Sequence, residues 1–187
     1  VLATAEAVAR TGAPTLVMTY WNPIERYGVE RFARDLASAG GTGVITPDLT
    51  PEEAGPWIEA TDAAGLDRVF LVAPSSSDER IDVVCGITSG FVYAASLMGV
   101  TGVKSVSAAA PELVARTRPR TSLPIAVGLG VSTPAQAADV AAYADGVIVG
   151  SAFVRLLLDA ETPAAGVAAV GRLAAELADG VRRHAHV

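Results

Sequence analysis

The stretch LPIAVGLGVSTPAQ, residues 123–136, carries the signals of a strand, a loop and a helix in succession. Its apolar run PIAVGL lacks the polar alternation of a half-exposed strand, which is typical of strands buried on both faces of a parallel sheet. The glycine-bearing turn GLGVS follows, and then Thr133-Pro134, a helix-capping residue with proline at the first helical position. The stretch therefore predicts one strand–helix unit of an α/β protein.

The same unit recurs along the chain from Pro14 onward. Its spacing suits either a doubly wound sheet or a (β/α)8 barrel. No G-x-G-x-x-G motif follows any of the apolar runs, which disfavours a dinucleotide-binding sheet. We therefore prefer a (β/α)8 TIM barrel, in a single α/β domain over residues 1–187. Six strands can be counted where a closed barrel needs eight, and the sequence starts inside a helix, so we expect an incomplete barrel whose first two strands are missing. The predicted strands are 14–20, 42–47, 68–73, 90–95, 124–129 and 146–150.

Helices are predicted between these strands from their start and stop signals. Residues 1–12 form a helix that ends at Gly12, and residues 29–39 form one that ends before two glycines. Thr50-Pro51, Ser77 and Thr133-Pro134 mark three further starts. The last helix runs from Pro163 to about Arg183, and its predicted apolar face comprises Val167, Val170, Leu173, Leu177 and Val181.

Composition narrows the class of protein and its partners. The net charge of −6, without a basic cluster, argues against nucleic acid, and no apolar run is long enough to span a membrane. The single cysteine, Cys85, is expected to be a buried small hydrophobe in a helix, which suits a reducing, cytoplasmic setting. His184 and His186 lie in a terminal tail without a third ligand, so no metal site is expected.

Three glycine-bearing loops follow three consecutive predicted strands: 99–102, 128–132 and 149–153. In a barrel these loops share one edge, where Gly102 and Gly130 would let the backbone approach a ligand. Gly150-Ser151 opens the short helix SAFVRLLL, whose N-terminal amides favour an anion. Turn strain alone would explain one such glycine, but the three loops together predict a phosphate site.

Six segments stand out in order along the chain: MTYWNPIERYGVERF (18–32), PDLTPEE (47–53), FLVAPSSSDERI (70–81), SGFVYAASLMGVTG (89–102), LPIAVGLGVSTPAQ (123–136) and ADGVIVGSAFV (144–154). In this order they resemble the tryptophan synthase alpha chain family. That resemblance implies a (β/α)8 barrel and a carbon–carbon lyase of tryptophan biosynthesis, which cleaves indole-3-glycerol phosphate to indole and glyceraldehyde 3-phosphate.

The resemblance also implies roles for single residues. The loop SLMGVTGVKSVS, residues 96–107, would close over the substrate, with Thr101 as its closure residue. Asp48 would couple the subunits. The substrate phosphate would be bound by Gly102, Gly130, Gly150 and Ser151, and the indole pocket would be lined by Ile45, Tyr93 and Leu129.

The family's two catalytic acids, a glutamate and an aspartate, would lie before Val1 in this numbering, so we expect no catalytic carboxylate here and no activity of this stretch alone. Asp48 is the best-placed acid, but the resemblance gives it the coupling role. The resemblance further implies an alpha2-beta2 heterotetramer with a beta chain that carries pyridoxal phosphate. No cofactor or metal is expected in the alpha chain. The contact surface should include residues 48–51 and 21–23.

Two other functions stay open at this point. One is another phosphate-binding TIM-barrel enzyme, such as an epimerase or a relative of indole-glycerol-phosphate synthase. The other is a non-catalytic, partner-activating module that keeps the ligand pocket without the acids. An indole-release assay on this chain and on its parent would separate the last possibility from the lyase.

Overall fold

The computed structural model describes residues 1–95, 109–128 and 130–182 of the chain. Helices alternate with short strands, and the pairs β1–β2, β2–β3 and β6–β7 defined below run parallel. The chain divides into two compact units, the first Val1–Leu71 with Ser77–Val92 and the second Val72–Ser76 with Tyr93–Val187. The α/β class is as predicted, whereas a single domain stays a prediction.

The first unit contains a three-stranded sheet in the order β1-β2-β3. Leu16 lies beside Gly43, and Gly43 beside Asp67, so the three strands run in register and in one direction. The elements are α1 (Leu2–Ala9), β1 (Leu16–Met18), α2 (Trp21–Tyr27), α3 (Val29–Ser38), β2 (Gly43–Ile45), a 3-10 turn (Pro51–Glu53), α4 (Gly55–Ala64), β3 (Asp67–Val69) and α5 (Asp78–Ile87).

The core of the first unit lies between its sheet and its helices. Trp57 of α4 is its largest fully buried side chain, and it packs against Trp21 in a T-shaped pair with ring centroids 5.8 Å apart. The predicted helix start at Ser77 is confirmed, since its hydroxyl accepts the N–H of Arg80. Cys85 is buried in α5, as expected.

The other strands form a four-stranded sheet in the order β4-β5-β6-β7. Ala126 of β6 lies beside Gly146 of β7. The remaining elements are β4 (Leu71–Val72), β5 (Val92–Ala95), α6 (Ala109–Thr117), a 3-10 turn (Arg118–Arg120), β6 (Ile125–Gly128), α7 (Pro134–Ala141), β7 (Gly146–Val147), α8 (Ser151–Leu158) and α9 (Pro163–Arg182).

Each predicted strand region contains a strand, but 68–73 is divided. Phe70 separates β3 from β4, and the two pieces belong to different sheets. Helix α2 was not predicted. None of the helices in the described ranges is long and apolar enough to cross a membrane.

The predicted apolar face of α9 is wrong at Val167, which is exposed, although Leu177 is buried. The helix instead packs through small residues that let backbones approach. A Cβ at Gly180 would lie 2.5 Å from the carbonyl oxygen of Pro134 in α7, and one at Gly166 would lie 3.2 Å from Leu157 Cδ2 in α8. Close helix contact rather than the volume of valine sets the buried face.

Candidate functional site

The loop between β6 and α7 is held by the side chains of its own helix. The side-chain oxygen of Gln136 accepts the N–H of Ser132 at 2.9 Å and that of Thr133 at 3.2 Å. In return, the Thr133 hydroxyl accepts the N–H of Gln136 at 3.2 Å, which completes a capping box. Before them, Gly130 has φ +97°, a left-handed conformation that favours glycine. Hydrogen bonds within the loop and the first turn of α7 therefore hold the loop in place. The Thr-x-x-Gln motif of residues 133–136 is the sequence signal from which this capping box could have been predicted.

Helix α8 begins differently, because its N-cap residue forms no side-chain capping hydrogen bond in the described part of the chain. Gly150 is its N-cap and Ser151 its first residue, and neither supplies a capping hydrogen bond. The first N–H groups of a helix have no intrahelical acceptor, so an anion can bind there. A Cβ built at Gly150 would meet no atom within 4 Å, so local packing gives no reason for a glycine.

The loop after β6 and the start of α8 open into one cavity of about 620 Å³. Gly130 and Ser151 both line it, so the second unit brings these two predicted phosphate residues together. Its walls are of mixed charge. The other lining residues are Val131, Ser132, Gln136, Ala152, Arg155, Leu156, Asp159, Ala169, Arg172, Leu173 and Glu176.

Tyr93 of β5 lies directly against the backbone of β6. A Cβ added to Gly128 would be 2.2 Å from its hydroxyl oxygen and 2.8 Å from its Cε1, so this contact requires glycine. The tyrosine is 2% exposed, and burial raises the pKa of its phenol above the ordinary value. A phenol is protonated at neutral pH and the shift acts in the same direction, so the Tyr93 hydroxyl can donate a hydrogen bond.

In the first unit, the predicted site residues lie where β2 ends. Ile45 is its last residue and is half-buried. Asp48 follows, and its carboxylate accepts the N–H of Trp21 through both oxygens, at 2.9 and 3.1 Å. This contact was missed, since the two residues are 27 positions apart and no local pattern joins them.

The remaining predicted residues cannot be placed. Thr101, Gly102 and Leu129 lie outside the described ranges, as do His184 and His186. The roles in phosphate and indole binding given to Ile45, Tyr93, Gly130, Gly150 and Ser151, and the coupling role of Asp48, therefore stay predictions. Within the described ranges no cluster of His, Cys, Asp and Glu is suited to a metal ion.

Comparison with known proteins identifies close relatives over nearly the whole chain. The model of the family "Tryptophan synthase alpha chain" matches residues 1–182. The tryptophan synthase alpha chain of Acidothermus cellulolyticus is 63% identical over 184 residues, which are 98% of this chain and 68% of that protein. That of Thermobifida fusca is 62% identical over 186 residues, 97% of this chain and 69% of the relative.

Solved structures agree with this result. A structure of Mycobacterium tuberculosis tryptophan synthase has a TM-score of 0.87 at 55% identity, and covers 97% of this chain and 67% of its own. A tryptophan synthase a2b2 complex from Pyrococcus furiosus has a TM-score of 0.84 at 32% identity, covering 95% and 72%. The likeness confirms the predicted fold class, the α/β class of the (β/α)8 barrel.

Proposed function

The chain belongs to the tryptophan synthase alpha chain family, and on that premise we propose that it binds indole-3-glycerol phosphate as part of an alpha subunit, a carbon–carbon lyase. One observation carries the assignment of the phosphate position. Gly130 and Ser151 line one cavity beside a helix start that no side chain caps. Uncapped amides at the positive end of a helix dipole suit a phosphate dianion.

We infer that backbone donors hold the phosphate, in a cavity whose walls also include Arg155 and Arg172. We propose that the amides of Gly130, in the β6–α7 loop, and of Gly150 and Ser151, at the start of α8, donate to the anion, together with that of Gly102. A glycine at Gly150, which packing does not require, leaves room for the ligand oxygens. One such helix terminus contributes about 0.3–1 kcal/mol when exposed, and more when partly buried.

For the indole half of the substrate we keep as a proposal the three residues that the resemblance implies, Ile45, Tyr93 and Leu129. The buried, protonated Tyr93 supplies a flat apolar face with one polar tip. Thr101, which lies outside the described residues, is kept as the proposed loop-closure residue. These residues bind and orient the substrate.

Proton transfer needs acids that these residues do not supply. The Asp48 carboxylate is already engaged by the N–H of Trp21, so we assign it no proton-transfer role. Residues 1–187 taken alone should release no indole above the uncatalysed rate, because each positioned acid or base typically contributes about 10²–10⁴-fold. Indole release by the purified chain, with longer contaminants excluded by mass, would contradict this.

The partner is a tryptophan synthase beta chain, in an alpha2-beta2 heterotetramer located in the cytoplasm. A solved relative is described as an a2b2 complex, which supports this arrangement. Pyridoxal phosphate belongs to the beta chain, and the alpha chain uses neither a cofactor nor a metal. This proposal accounts for the whole length of the match, whereas nothing in the geometry favours a non-catalytic module.

Calorimetric titration with glycerol 3-phosphate tests the phosphate position. We expect binding by the unaltered chain and a loss with Gly150→Val, while Gly55→Val leaves it unchanged. Gly55 is a matched control, since it also stands at a helix start where a Cβ would meet nothing within 4 Å. Equal binding by all three proteins would overturn the assignment.

A further inference from the structure

The 20–23 segment, Tyr20-Trp21-Asn22-Pro23, follows β1 and is held by a side chain from another loop. Helix α2 begins at Trp21, and its N-cap, Tyr20, makes no capping hydrogen bond with its own side chain. Both carboxylate oxygens of Asp48 instead accept the N–H of Trp21, at 2.9 and 3.1 Å. Asp48 thus does for α2 what an N-cap residue does for its own helix.

We propose that Asp48 is a positioning residue for subunit coupling, which acts through this remote cap by holding the 20–23 segment in place for the partner chain. The inference rests on the proposed function in naming a beta chain as that partner. It differs from the coupling role implied by the resemblance, because the carboxylate works on α2 and need not touch the partner.

Helix α2 depends on such a cap because it has only 7 residues. Short helices are marginal, and most of their stability comes from caps and packing. A carboxylate at the first turn satisfies an N–H that has no other acceptor and also favours the positive end of the helix. Without it, the start of α2 keeps the packing of Trp21 and Ile24 but loses this hydrogen bond.

The loop that carries Asp48 is itself fixed, which makes the cap an effective anchor. Leu49, the next residue, is 6% exposed and packs into the core of the first unit. A few residues on, Glu52 forms an ion pair with Arg80 of α5 at 2.7 Å. Asp48 therefore ties a short helix to a loop that is anchored by Leu49 and by the Glu52–Arg80 ion pair.

The contact has an intrinsic spectroscopic reporter. Trp21, whose N–H is capped, packs edge-on against the buried Trp57, with ring centroids 5.8 Å apart and planes at 67°. The chain has two tryptophans, so both belong to this pair. Coupling between such close rings gives a near-ultraviolet circular dichroism signal that changes when the start of α2 moves.

Three variants separate a cap from a charge that meets the partner. Asp48→Ala removes the acceptor, whereas Asp48→Asn keeps a side-chain oxygen, and asparagine caps helices about as well as aspartate. Glu25→Ala is the matched control, since it removes one negative charge from α2 itself, at an exposed position. Each is measured by near-ultraviolet circular dichroism alone and by affinity for a tryptophan synthase beta chain.

We expect Asp48→Ala to lose the tryptophan signal and to bind the beta chain about fivefold more weakly, the size of a typical N-cap loss. Asp48→Asn and Glu25→Ala should keep the signal and bind within about twofold of the unaltered chain, as expected when a cap is kept. If Asp48→Asn keeps the signal but binds as weakly as Asp48→Ala, the charge itself meets the partner and the proposal is wrong.

Two other results would also decide whether the proposed remote cap and its coupling role hold. Unchanged signal and affinity in Asp48→Ala would overturn the remote cap altogether. Absence of binding by the unaltered chain would overturn the proposed beta-chain partner and with it the coupling role. In that case the dichroism of Asp48→Ala against Asp48→Asn would still decide separately whether Asp48 caps α2.

Discussion

Helices α7 and α8 begin beside the same cavity, but they differ in whether a side chain accepts hydrogen bonds from their first backbone N–H groups. At α7, Thr133 and Gln136 exchange hydrogen bonds and Gln136 also binds the loop before it. At α8, Gly150 and Ser151 offer no side-chain acceptor. The donors at α7 are satisfied by the protein, whereas those at α8 are open to a ligand. A helix N-terminus without a side-chain cap is therefore the better candidate for an anion site.

The comparison also explains which glycines the fold requires. Gly130 needs glycine for its left-handed backbone, and Gly128 needs it because Tyr93 lies against it. Gly150 has neither reason, since a side chain there would point into open space. Ligand approach is the reason left for Gly150, and substitutions can test each case separately.

The largest expected effect comes from making α8 resemble α7. Gly150→Asp supplies a side-chain acceptor to the first amides of α8 and places a negative charge where the phosphate should bind. Two unit charges about 4 Å apart repel by about 4 kcal/mol near a protein surface. We expect glycerol 3-phosphate affinity, measured by calorimetry, to fall at least about a hundredfold after discounting for solvent screening.

The stability of the same variant is the control for that result. Urea unfolding should stay within about 0.5 kcal/mol of the unaltered chain, since the change adds a capping group at an open position. Retained affinity in a folded Gly150→Asp variant would show that α8 is not the anion site.

The next effect tests the contact before the β6–α7 loop. Gly128→Ala places a methyl group 2.2 Å from the Tyr93 hydroxyl oxygen, so the ring or β6 must move. Overpacking of this kind typically costs about 1–3 kcal/mol. Chemical unfolding should show that loss, and near-ultraviolet dichroism should show a displaced tyrosine.

Gly86→Ala is the matched control for this substitution. Gly86 lies inside α5, and a Cβ there would meet nothing within 4 Å. Alanine is favoured over glycine in a helix by about 0.5–1 kcal/mol, so this variant should gain stability. If Gly128→Ala behaved like Gly86→Ala, the tyrosine would not rest on β6 as described.

The parts of this comparison that could be predicted are those with local causes. Thr133-Pro134 predicted the start of α7, and Gly150-Ser151 predicted that of α8. Both predictions succeeded because capping and helix-dipole interactions depend only on residues within one turn of the helix start. The contact of Asp48 with Trp21 could not be predicted, since its partners meet only in the folded chain. One residue of the predicted α9 face, Val167, was misread, whereas Leu177 is buried as predicted. Hydrophobic periodicity does not register Gly166 and Gly180, which make close contacts with the neighbouring helices.

A smaller effect should separate stability from binding at α7. Thr133→Ala removes the acceptor for the N–H of Gln136 and breaks the capping box. Loss of an N-cap typically costs about 1 kcal/mol, so the unfolding midpoint should fall by that amount. Affinity for glycerol 3-phosphate should not change, because Thr133→Ala leaves the backbone hydrogen bonds to Gln136 that hold the loop of Gly130, and the first amides of α7 are not proposed to bind. A parallel loss of affinity would mean that both helix starts serve the ligand.

The smallest change is a single methyl group at α8. Gly150→Ala adds a Cβ where no protein atom lies within 4 Å, so unfolding should change by no more than about 0.5 kcal/mol. Glycerol 3-phosphate needs that space if its oxygens approach the amide of Ser151, and we expect its affinity to fall about three- to tenfold, or about 0.7–1.4 kcal/mol. Gly55→Ala, at the start of α4 with the same open surroundings, should leave affinity unchanged. Equal affinities for the two variants would mean that the glycine at α8 serves neither packing nor ligand approach, and the contrast between α7 and α8 would lose its functional meaning.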